Sequence, residues 1–190
     1  MYKYFIIFFT CILTALSACA PNDNWVDVKS SDSTVLLTLP PDMHTLKGFN
    51  NYAIMQYGNL ENSLSVIVIA DTIAAYNALI DNYIEQNPDS AAVFSAAKGF
   101  DGYCSMVISN LKAEAQKFDV IENVDTVANS LTLRAFAYNA KYDTDKSFIR
   151  LAIYQGKLCY YQVFAMIKST HAEEFDAQMK RMVYSLRERE

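Results

Sequence analysis

Four strand-length apolar runs, residues 120–128, 131–142, 148–155 and 158–167, follow one another with only a few residues between them. Parallel neighbours need a crossover of a dozen or more residues, whereas antiparallel neighbours can be joined by two, so these runs read as an antiparallel meander. The connections carry turn chemistry: Asn129-Ser130, Asp143-Thr144-Asp145 and Gln155-Gly156. In the second run Leu131, Leu133, Ala135 and Ala137 alternate with Thr132, Arg134, Phe136 and Tyr138. Successive side chains point to opposite faces, and large apolar residues occur on both. This predicts a sheet covered, at least in part, on each side.

Upstream, residues 25–29 and 35–39 read as short strands, the second stopped by Pro40-Pro41 because proline cannot donate to a ladder. Residues 52–57 and 64–70 read as a hairpin with Gly58-Asn59 in its connection. The period then changes. Ile73, Tyr76, Leu79, Ile80, Tyr83 and Ile84 recur at helical spacing until Asn87-Pro88 ends that helix and opens another. Val93, Phe94, Ala97, Phe100, Cys104, Val107 and Leu111 continue the helical pattern. Gly99 and Gly102 each cost about 1 kcal/mol there relative to alanine and mark a break. In the last helix Thr170 and Glu173 read as a capping box, and Phe175, Met179, Met182 and Leu186 as the buried stripe. Lys180, Arg181 and Arg187 sit toward its C-terminal half, where cations suit the helix dipole. The methionines read as core rather than as a cofactor box.

The N-terminus has a different character. Lys3 precedes an apolar stretch from Phe5 to Leu16, interrupted only by Thr10, Cys11 and Thr14. It has the length of an export signal and is too short to span a hydrocarbon core of about 30 Å as a helix. It ends at Leu16-Ser17-Ala18-Cys19, which resembles the lipobox of bacterial lipoproteins. The resemblance implies cleavage before Cys19, lipidation of its thiol and acylation of the new N-terminus. Each buried methylene contributes about 0.8 kcal/mol, so several chains anchor firmly where one would not. Ala20, rather than aspartate, follows the cysteine, which by the same resemblance favours an outer-membrane protein facing the periplasm. The expected organisation is a signal peptide at 1–18, a lipidated N-terminus and spacer at 19–29, and one domain at 30–190. Removing the leader leaves 172 of the 190 residues, enough for one core.

The order of elements resembles the Mog1/PsbP-like fold. Three segments carry the likeness: Val35-Leu36-Leu37-Thr38-Leu39-Pro40, Ser63-Leu64-Ser65-Val66-Ile67-Val68, and Tyr160-Tyr161-Gln162-Val163 leading to a helix that closes on Tyr184-Ser185-Leu186. It covers roughly residues 30–188. The resemblance implies an α+β fold, an antiparallel sheet with helices packed on it as an α/β/α sandwich. It also implies a role as an accessory or binding protein of membranes and envelopes, and carries no shared catalytic set.

Catalytic signals are thin. There is no Gly-x-Ser-x-Gly elbow and no glycine-rich phosphate cradle among the five glycines. His44, in a loop, and His171, at a helix start, are far apart in the chain and form no metal-binding pair. Asp143 and Asp145 read as a solvated hairpin tip rather than a calcium loop, which needs further oxygen ligands. Glu173, Glu174 and Asp176 read as first-turn acids that favour the helix dipole. A formal net charge of -5, without a basic cluster, argues against nucleic acid as a partner. Cys104 and Cys159 are either two buried free thiols or a disulfide. Tyr138, Tyr142, Tyr154, Tyr160 and Tyr161 either pack the sheet or line a groove for a peptide, glycan or apolar ligand. No cofactor, metal or catalytic residue is expected, and Cys19 is the one assigned site. The expectation is a non-enzymatic accessory or binding module, held to the membrane through Cys19 and serving an envelope protein partner. A small-ligand carrier or sensor would show a closed apolar cavity instead, and an envelope hydrolase a polar cleft with converging acids or His44.

Overall fold

A computed structural model describes residues 24–189; the leader and Cys19 lie outside the described residues. The chain forms β1 (Val26–Lys29), β2 (Val35–Leu39), β3 (His44–Thr45), β4 (Ala53–Asn59) and β5 (Leu64–Thr72). Helix α1 (Ile73–Gln86), a 3-10 turn (Pro88–Ser90), α2 (Ala91–Ala96) and α3 (Gly99–Glu114) follow. The meander is β6 (Lys117–Ala128), β7 (Leu131–Tyr142), β8 (Asp145–Gln155) and β9 (Cys159–Lys168). A second 3-10 turn (Ser169–His171), α4 (Ala172–Val183) and β10 (Arg187–Glu188) close the chain.

Seven strands make one antiparallel sheet in the order β3-β4-β5-β9-β8-β7-β6, and a small sheet has the order β1-β2-β10. Each face of the large sheet carries its own core. On one side α4 and the small sheet bury Leu37, Leu39, Tyr154, Met179, Met182 and Leu186. On the other, α1 to α3 bury Tyr76, Tyr103, Cys104, Tyr138 and Tyr160. Along β8 the alternation is strict: Phe148, Ala152 and Tyr154 face α4, while Ile149, Leu151 and Ile153 face the other helices. The sheet is therefore covered on both faces, as its mixed apolar pattern requires.

The sequence reading needs correction at several places. Gly58 and Asn59 belong to β4, and the turn occupies residues 60–63 with Ser63 at φ 59°. The helical break expected at Gly99 and Gly102 is present, between α2 and α3. Gly99 there has φ +78°, and an added Cβ on Gly102 would sit 1.8 Å from the Ala97 carbonyl oxygen. The capping box does not form, because Thr170 lies in the 3-10 turn and His171 precedes α4 without any side-chain cap. His44 lies on β3 rather than in a loop, and β3 and β10 are two-residue strands too short to show a period. β1 pairs along its whole length with β2, so the ordered sheet begins inside the 19–29 segment read as spacer. Cys104 and Cys159 are both free. They belong to opposite faces of the sheet, which stands between them. Among the described residues no helix is long and apolar enough to cross a membrane.

Candidate functional site

Three lysines on adjacent strands are brought into one row. At the β7–β8 turn Asp143 adopts φ 53°, Tyr142 opposes Asp145, and Lys141 therefore opposes Lys146. At the other end of β7, Asn129 (φ 51°) and Ser130 (φ 66°) make a two-residue turn with both φ values positive, which matches strand twist and sets Ala128 opposite Leu131. Continued unchanged, that register would put Lys117 opposite Tyr142. A bulge between Val120 and Glu122 shifts it by one residue, and Lys117 opposes Lys141 instead. A one-residue slip moves a side chain to the other face, so the bulge is what gathers Lys117, Lys141 and Lys146 on the α4 side.

Like charges directly opposite one another destabilise a sheet, by an amount comparable to the roughly 0.2–1 kcal/mol that favourable pairs contribute. Only Lys117 is relieved. Its Nζ lies 2.8 Å from Asp119 Oδ2, and that hydrogen bond raises the lysine's pKa. Lys141 and Lys146 have no carboxylate partner among the described residues. The row rims a cleft of about 400 Å³ between the strand ends and the start of α4. Ile121, Phe148 and Ala172 supply apolar walls, and Asn139 and Ser169 supply polar groups. Ser169 Oγ donates to Asn139 Oδ1 at 3.5 Å, the long limit of a hydrogen bond. The arrangement can hold an anion. It contains no nucleophile with an adjacent base.

A charge network fixes the bulged strand behind the row. Arg150 on β8 is only 5 % exposed and makes a forked contact with Asp176 of α4, with Nη2 donating to Oδ2 at 2.8 Å. Its Nη1 donates to Glu122 Oε2 at 3.0 Å, and Lys180 Nζ reaches Glu122 Oε1 at 3.2 Å. Burial alone would raise the Glu122 pKa, but hydrogen bonds from Arg150 and Lys180 together outweigh it and hold the carboxyl below its usual range. Asp176, read from sequence as a dipole acid, is thus an ion-pair partner linking α4 to β8.

The other sequence-level candidates do not converge. His44 lines a separate cleft with Asp42, Asn59 and Glu61, while His171 stands at the start of α4, 3.8 Å from Glu174. Asp143 and Asp145 are exposed at the hairpin tip, and no group of acids, histidines and cysteines able to hold a metal occurs among the described residues. Ser-x-x-Lys spacings occur at Ser95/Lys98 and Ser109/Lys112, with both serines exposed and Lys98 paired to Asp81. Tyr138, Tyr154, Tyr160 and Tyr161 are buried in the two cores, and Tyr154 donates to the Val183 carbonyl at 2.6 Å. They pack the sheet, and of the four Tyr161 also reaches a small cleft beside Lys157 and Glu188. Tyr103 donates to Asp71 and accepts from Gln162 Nε2 at 2.7 Å, a polar knot joining α3 to β5 and β9. Burial pushes the neighbouring Cys104 thiol up to about 12.

The lysine row was missed in the sequence because Lys117 and Lys141 are 24 positions apart. Centring a hairpin on Asp143-Thr144 would have found the Lys141–Lys146 pair; nothing in the sequence announces the bulge.

No protein-family profile matches the sequence, and no curated protein matches it. Solved structures share its fold. Cyanobacterial PsbP from Synechocystis sp. PCC 6803 superposes with a TM-score of 0.56 at 6 % identity, covering 90 % of this chain and 98 % of that one. LpqN of Mycobacterium tuberculosis, described as involved in cell envelope biogenesis, gives 0.51 at 10 % identity, covering 88 % and 91 %. A variant of Mog1 gives 0.50 at 12 % identity, covering 86 % and 95 %. The domain has the Mog1/PsbP-like fold.

Proposed function

We propose that this Mog1/PsbP-like domain is a lipid-anchored component of the bacterial envelope, an accessory protein that works by binding rather than by catalysis. The lysine-rimmed cleft is its working surface, and the cross-strand row Lys117–Lys141–Lys146 is the observation that carries the reading. A fold selected for stability alone has no use for three opposed ammonium groups with one carboxylate among them. The lipobox at Leu16-Ser17-Ala18-Cys19 supports the anchor, and the role of LpqN in cell envelope biogenesis is consistent with that setting. Confinement to a membrane raises the effective concentration of a neighbour, so a modest site suffices. An outer-membrane location follows only from Ala20 and belongs to the same proposal.

Two experiments test it. Wild-type chain grown with labelled palmitate should carry the label, and Cys19→Ala should not; an unlabelled wild-type product removes the anchor. A photo-crosslinking residue at position 141 should give a discrete adduct in intact cells, and one at position 98, outside the cleft, should not. Indistinguishable adducts at the two positions would remove the cleft from the account.

A further inference from the structure

We infer that the lysine row is a receptor for a single anionic amphiphile, its charged head held between Lys141 and Lys146 and the adjoining apolar portion laid on Ile121 and Phe148. This rests on the cleft being the binding surface. The head follows from the charges: Lys141 and Lys146 are cross-strand partners on one face, and neither has a carboxylate partner among the described residues. An anion seated there turns a repulsion into two attractive contacts. Lysine acts as a compact point charge rather than a planar fork, so the row selects for negative charge rather than for a flat bidentate group.

The apolar portion follows from the bulge. The extra residue that brings Lys117 into line is Ile121, which is 61 % exposed yet forms a wall of the same cleft. Phe148 and Ala172 continue that apolar surface. A bare inorganic anion would gain nothing from it. An extended polyanion would meet the chain's formal charge of -5 beyond the cleft. The volume of about 400 Å³ lies toward the small end of ligand clefts, room for a head and a short length of chain.

The test is protection of lysines from acetylation, read residue by residue by mass spectrometry on the protein as isolated from cells, with hexyl phosphate as the probe. Lys141 and Lys146 should react at least tenfold more slowly in its presence, with Lys29 and Lys157 unchanged. Hexanol should give no protection, and inorganic phosphate should need at least tenfold higher concentration. Ile121→Asn, a change at an exposed position, should reduce protection by hexyl phosphate to the inorganic level. Equal protection by inorganic phosphate, protection that survives Ile121→Asn, or stronger competition by an acidic hexapeptide would each overturn the inference. So would protection by phosphatidylglycerol vesicles but not by hexyl phosphate, which would make the site a bilayer contact. A cleft-specific crosslink in cells without hexyl phosphate protection sinks the amphiphile and leaves the binding module standing.

Discussion

At Gly102 the chain tolerates no side chain at all, since the Ala97 carbonyl occupies the place of a Cβ. Gly102→Ala must push α2 and α3 apart, and overpacking of this kind costs about 1–3 kcal/mol. A urea denaturation midpoint lowered to that extent, with an unchanged slope, is expected. Arg150 makes the opposite point. Arg150→Met fits the apolar surroundings but strands Asp176 and Glu122, and removing one partner of a buried pair costs about 3–5 kcal/mol. Asp176 is 40 % exposed, so the loss belongs at or below the bottom of that range. The double change Arg150→Met with Asp176→Leu should recover part of it in the same assay.

Among the elements, β6 depends on its bulge. Without the bulge, the register set at the Asn129-Ser130 turn would put Lys117 opposite Tyr142, on the other face, and leave Lys141 against Lys146 alone. Directly opposed residues come close enough for a disulfide. Lys117→Cys with Lys141→Cys should therefore oxidise readily, and Lys117→Cys with Tyr142→Cys, the pair an unbulged ladder would make, should not. Efficient bridging between positions 117 and 142 would show that the bulge does not set the row. The same row makes Lys146→Gln a stabilising change of a few tenths of a kcal/mol, because it removes a like-charge pair. A higher melting temperature at low salt, with the difference shrinking as salt screens the charges, is the expected result.

For the whole molecule, charge and burial set a stability window in pH. Hydrogen bonds from Arg150 and Lys180 hold Glu122 below its ordinary value of 4.5, and one from Arg134 does the same for Asp125. Their contribution is present above the unfolded carboxylate range and is lost as pH falls through the lowered folded values. At the alkaline end burial raises Cys104 from 9.0 to about 12 and raises Tyr103, Tyr138 and Tyr154 as well. Those groups stabilise fully below pH 9.0 and lose their contribution as the medium approaches about 12. Melting temperature against pH should thus fall on both sides, and Glu122→Gln should blunt the acid limb only. Cys104 should resist alkylation in the folded protein at neutral pH and react once it is unfolded.

Sequence by itself determined the meander, because four apolar runs with short turns leave no room for crossovers. It determined the two-sided burial of β7, because period two writes both faces into one string, and it marked the helical break at Gly99 and Gly102. Local pattern could not place His44 on a strand, since a two-residue strand has no period. Nor could it foresee that a 3-10 turn would displace Thr170 from the cap. The cleft was decided only in three dimensions. Opposition of Lys117, Lys141 and Lys146 depends on register, and register depends on one unpaired residue, Ile121, that no local pattern marks.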